Sequence, residues 1–93
     1  MDRPGNPLKP IDDTLLTEAY NLVTGDRQQS YDHPARNFDR IARLWSVALE
    51  KEITPEDVAV CMVLVKIARQ VHAPKRDNIV DAIGYLLTLE AVR

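Results

Sequence analysis

The sequence predicts an all-α fold, a compact four-helix bundle-like domain that associates with further copies of itself. Three observations carry that reading. Apolar residues recur at three-and-four spacing in separate segments, capping residues stand at the segment boundaries, and no stretch alternates convincingly as a half-buried strand does. At 93 residues the chain makes one domain, and its length excludes an enzyme with separate cofactor and substrate lobes. We divide it into an irregular N-terminal arm over residues 1–11 and a single helical domain over residues 12–93.

The arm carries three prolines and one glycine within its first ten residues, so no regular element is expected there. The first helix is predicted over 14–23. Asp12 or Asp13 can accept from its free N–H groups, and Leu15, Leu16, Ala19, Tyr20, Leu22 and Val23 form its apolar side. Gly25 is the expected stop, as a residue that tolerates a left-handed backbone. The polar segment TGDRQQSYDHP, 24–34, follows. It is long for a helix connection in so small a domain, and such loops tend to be functional or disordered.

The second helix is predicted over 34–52, with Phe38, Ile41, Ala42, Leu44, Trp45, Ala48 and Leu49 on one stripe and Arg36, Arg40 and Arg43 off it. The third has the clearest start. Thr54 is its N-cap, Pro55 suits the first turn, Asp57 stands three residues after the cap, and Ile53 and Val58 are placed as a hydrophobic staple. From Val58 to Ala68 it is apolar nearly all round, with Cys61 read as a small core residue. A break at HAPKRD precedes a fourth helix over 77–92, whose first residue, Asp77, is its expected cap. Gly84, inside that helix, signals a close helix–helix approach near Asp81 and Tyr85.

Composition removes several classes of function. Twelve basic residues against fourteen acidic ones leave a net charge of −2, so no general nucleic-acid binding is expected. A single cysteine excludes an intrachain disulfide framework and a cysteine-based zinc site. No apolar run reaches the ~18 residues that would span a bilayer, and residues 1–10 lack a signal-peptide core. The expectation is therefore a cytoplasmic protein with no membrane partner. The third and fourth helices are too apolar for two short helices to cover, which predicts a homo-oligomer.

Those two helices nevertheless carry Lys66, Arg69, Asp77 and Asp81. A charge on a buried helix needs a partner or a ligand. Lys66 and Arg69 are three apart, and Asp77, Asp81 and Tyr85 four apart, so each set shares a face. Antiparallel packing would bring the faces together. One reading is a structural ion pair of Lys66 or Arg69 with Asp81. The other is a site for a phosphate-bearing ligand, with Lys75 and Arg76 at the fourth helix's N-terminus and Arg27, Tyr31 and His33 in the long loop. Two histidines on different elements give no metal site, and there is no phosphate-binding glycine loop.

The words GDRQQSYDHP at 25–34, NF at 37–38, LW at 44–45, ITPEDVA at 53–59, KIAR at 66–69 and KRDNIVDAIGY at 75–85 resemble a family of small phage and prophage proteins catalogued as a domain of unknown function. The resemblance covers roughly 15–89 and implies residence in the cytoplasm of a bacterial host. In that family the loop usually reads Tyr-Gly-His-Pro; Asp32 stands here in place of the glycine. More remotely the layout is similar to the all-α nucleotide pyrophosphohydrolases of the MazG type. That likeness implies magnesium on paired acidic motifs. Here Lys66 and Arg69 occupy the place of one acidic pair, and Asp77, Asp81 and Glu18 are the oxygen donors on offer. Magnesium would then need phosphate oxygens to complete its shell. Three functions follow as expectations. The first is a phage-type binder of a nucleotide or other phosphate metabolite that sequesters a host signal. The second is a magnesium-dependent pyrophosphohydrolase, and the third an interaction protein without a small-molecule ligand. A candidate site richer in cations than in carboxylates favours the first.

Overall fold

The computed structural model describes residues 8–25 and 33–93. Among them four helices form, α1 (Thr14–Thr24), α2 (Pro34–Leu49), α3 (Pro55–His72) and α4 (Arg76–Val92), with no strand. Arg27 and Tyr31 lie outside the described residues.

Local chemistry sets most helix ends. The Thr54 hydroxyl accepts from the Asp57 N–H and the Asp57 carboxylate from the Thr54 N–H, both at 3.0 Å, closing a capping box at α3. At α1 the Asp12 carboxylate accepts from the Thr14 N–H at 3.0 Å and from the Thr14 hydroxyl. Three expected boundaries differ. α2 ends at Leu49 rather than near 52, because Glu50 turns left-handed (φ 53°). The Lys51 N–H then closes on the Ser46 carbonyl at 3.2 Å and the Glu50 N–H on that of Val47 at 3.4 Å. Asp77 does not cap α4. The helix begins one residue earlier, and Asp77 lies in its first turn, where a negative charge suits the helix dipole. Gly25 ends α1 without a left-handed backbone (φ −89°); glycine is needed because a Cβ there would meet the Asn21 carbonyl oxygen at 2.7 Å.

α3 and α4 form an antiparallel hairpin, and α2 packs mainly on α3 and α1 on α4. The main core lies where Phe38 and Ala42 of α2 meet Val58 and Ala59 of α3, with Ile41, Trp45, Ile53, Met62, Tyr85 and Leu89 packed around them. The Phe38 and Tyr85 rings sit 5.9 Å apart, so Tyr85 belongs to this core. Ala19 and Val80 are buried in the second contact, between α1 and α4. Gly84 does permit close approach, but to α1: a Cβ there would lie 3.3 Å from Val23 Cγ1. Cys61 is exposed, contrary to its expected core position, because α1 and α2 cover only part of the α3 circumference.

Candidate functional site

The α3–α4 contact carries polar side chains midway along two largely apolar helices. Lys66 Nζ lies 2.9 Å from Asp81 Oδ2, with the side chains 14% and 30% exposed. One turn towards the connection, Asn78 Nδ2 donates to Gln70 Oε1 at 3.1 Å and to the Ala73 carbonyl at 3.4 Å. The same Gln70 oxygen accepts from the Lys75 N–H at 2.9 Å. Gln70 and Asn78 were not among the expected site residues. Their signal is spacing: Gln70 stands four after Lys66 and Asn78 three before Asp81, so both extend the charged faces by one turn.

The remaining expected residues spread over the molecule. Arg69 is exposed and engages no carboxylate among the described residues. Asp77 is exposed on the first turn of α4, and the Lys75 ammonium is likewise exposed. Arg76 turns away to α1, where its guanidinium pairs with Glu18, donates to the Thr14 hydroxyl at 3.1 Å and lies 3.9 Å from Asp12. The bond to Glu18 raises the Arg76 pKa above its ordinary value. The hydrogen bonds from Thr14, helped by the Arg76 charge, hold the Asp12 carboxyl below the usual carboxylate value. Glu18 is thus committed to an inter-helix ion pair.

His33 is the N-cap of α2, its Nδ1 accepting from the Ala35 N–H at 3.0 Å. It stands well along α4 from Arg76, lining a cleft of about 200 Å³ with Tyr20, Thr24, Leu87 and Thr88. Of the expected set, direct contact therefore joins Lys66 with Asp81, while Arg69 and Asp77 occupy neighbouring turns. Among the described residues no three His, Cys, Asp or Glu side chains come together to hold a metal ion. No helix among them is long and apolar enough to cross a membrane.

A family profile matches residues 14–93, from the first residue of α1 through the end of α4. The chain belongs to the family described as Domain of unknown function (DUF6378). The chain is 42% identical over 83 residues to the Gene 55 protein of Mycobacterium phage D29, covering 88% of this chain and 55% of that protein. It is 42% identical over 82 residues to the Gene 55 protein of Mycobacterium phage L5, covering 86% and 53%. The chain thus spans about half the length of the curated relatives it matches. No solved structure matches it.

Proposed function

We propose that this domain binds a phosphate-bearing small molecule of the nucleotide class at the α3–α4 polar line, with Lys66 and Arg69 as its phosphate-facing cations. The supporting observation is the charge balance on α3. Asp81 engages Lys66, whereas Arg69, one turn on, has no carboxylate partner among the described residues. Arg69 therefore offers an exposed cation beside a polar seam that supplies amide donors and acceptors. A planar guanidinium suits bidentate contact with phosphate. Any divalent ion there would take most of its oxygens from the ligand. Since the matched relatives are mycobacteriophage proteins, the role consistent with a binder is withdrawal of a host nucleotide from use. The 2.9 Å Lys66–Asp81 contact also suits a second reading, in which the pair only holds the helices together.

Thermal melts against a panel of nucleoside mono-, di- and triphosphates, with mass spectrometry of any ligand carried through purification, test the proposal. At least one nucleotide should raise the melting temperature, and Arg69→Ala should weaken its binding by about one to two orders of magnitude. If no nucleotide shifts the wild-type melt and none co-purifies, the binding reading fails and the structural one stands. Release of pyrophosphate from a bound triphosphate in magnesium would replace the binder by a hydrolase of the MazG kind.

A further inference from the structure

We infer that the bare face of the α3–α4 hairpin binds a second copy of this chain about a two-fold axis perpendicular to the helices. This inference does not depend on the ligand proposal. On α3, Val60, Leu64, Ile67 and Val71 are 44%, 57%, 51% and 81% exposed. Their four-three-four spacing is that of a coiled-coil seam. On α4, Ile79 and Leu86 are 39% and 50% exposed, with Ala82 and Ile83 half-buried between them. The pairs Lys66–Asp81 and Gln70–Asn78 mark the line where the helices touch. Rotation from that line in one sense reaches both rows, and in antiparallel helices this is the same side of the hairpin. α1 and α2 leave it uncovered.

Symmetry names the occupant. Each row is its own mirror in spacing, with an apolar residue at every mirrored position: the α3 row centres between Val65 and Lys66, the α4 row between Ala82 and Ile83. The Lys66–Asp81 and Gln70–Asn78 contacts put those two midpoints at the same height, to within about one residue rise of 1.5 Å. One two-fold axis therefore maps both rows onto themselves reversed. It sets Val60 on the partner's Val71, Leu64 on the partner's Ile67, and Ile79 on the partner's Leu86. A face made for an unrelated protein has no reason to be its own complement, whereas an isologous dimer requires it. The same operation brings Lys75 to the height of the partner's Glu56 and the partner's Glu90, carboxylates that within each copy also lie 3.7 Å and 3.0 Å from the Arg93 guanidinium.

Area and core size agree with this occupant. Two packed helices of this length, about 9 Å apart, present on the order of 800 Å², the amount a standard interface buries per partner. The buried apolar residues among those described are Ala19, Phe38, Ala42, Val58, Ala59 and Val80. Half of them are alanines, so the domain's own core is thin and a shared one would complete it.

Sedimentation of the 93-residue chain at tens of micromolar should give a dimer. Leu64→Glu, an exposed position in one copy, should raise the dimer dissociation constant at least ~100-fold, because each dimer loses two apolar contacts and gains two desolvated carboxylates. Circular dichroism should show its helices retained. Lys75→Glu, outside the apolar rows, should weaken the dimer several-fold, and adding Glu56→Lys should restore it relative to Glu56→Lys alone, the control for the Arg93 contact that this change removes. This charge exchange also decides the matter if Leu64→Glu loses its fold. A monomeric wild type, a dimer indifferent to Leu64→Glu, or a charge exchange without restoration would overturn the inference.

Discussion

Removing the Asp81 carboxylate is the sharpest test of what holds α3 to α4. Asp81→Ala leaves the Lys66 ammonium, 14% exposed, facing the site of the lost partner. Fully exposed pairs are worth about 0–1 kcal/mol, and breaking a fully buried one costs about 3–5 kcal/mol. With the partners 14% and 30% exposed, the cost should fall between, at about 1–3 kcal/mol. For a domain of this size each kcal/mol moves the melting temperature by about 4–8 °C, so the variant should melt roughly 5–20 °C below wild type. Lys66→Met removes the other charge but keeps the stem that lies along apolar surface, so it should cost less. The double variant should recover part of the loss, since no unpaired charge remains. The assay is a thermodynamic cycle from chemical denaturation, all four proteins at one concentration so that self-association is held constant. Additive losses, with a coupling under about 0.3 kcal/mol, would refute the claim that the two side chains act as a pair.

Two further outcomes follow from local geometry. The Ser46 hydroxyl accepts from the Ile53 N–H at 2.9 Å and donates back along α2 to the Ala42 carbonyl at 2.7 Å, so Ser46→Ala should cost about 1–3 kcal/mol by leaving that half-buried N–H unpaired; a loss under about 0.5 kcal/mol would show that water replaces the hydroxyl. Because the Asp12 pKa is depressed in the folded state, its contribution is present above the unfolded value of about 3.9 and is lost as pH falls through the lower folded value. Asp12→Asn should accordingly melt below wild type at pH 7, and the gap should narrow steadily as pH falls below the unfolded value; a gap that does not narrow in acid would contradict that linkage.

Helix existence was legible from the chain alone because its causes are local. The Thr54–Asp57 box, the Pro34 and Pro55 starts and the three-and-four apolar spacing act within a turn or two of themselves, and each produced the helix it announced. The union of Lys66 with Asp81 was also legible, because charges on otherwise apolar helices have few ways to be satisfied. Which cation Asp81 takes, and where the others go, depended on rotation and height between helices, and these are set by packing over distant residues. Arg69 is one turn along α3 from Lys66 yet stays exposed while Asp81 takes Lys66, and Arg76 leaves the cluster for Glu18 on α1, fifty-eight residues distant. Glu50 ends α2 early through a left-handed turn that no glycine announces, held by the Ser46 carbonyl and hydroxyl across the connection. Cys61 looked like core for the same reason that Leu64 and Ile67 did: the sequence records how much of α3 is apolar, but only the placement of α1 and α2 shows which part stays bare.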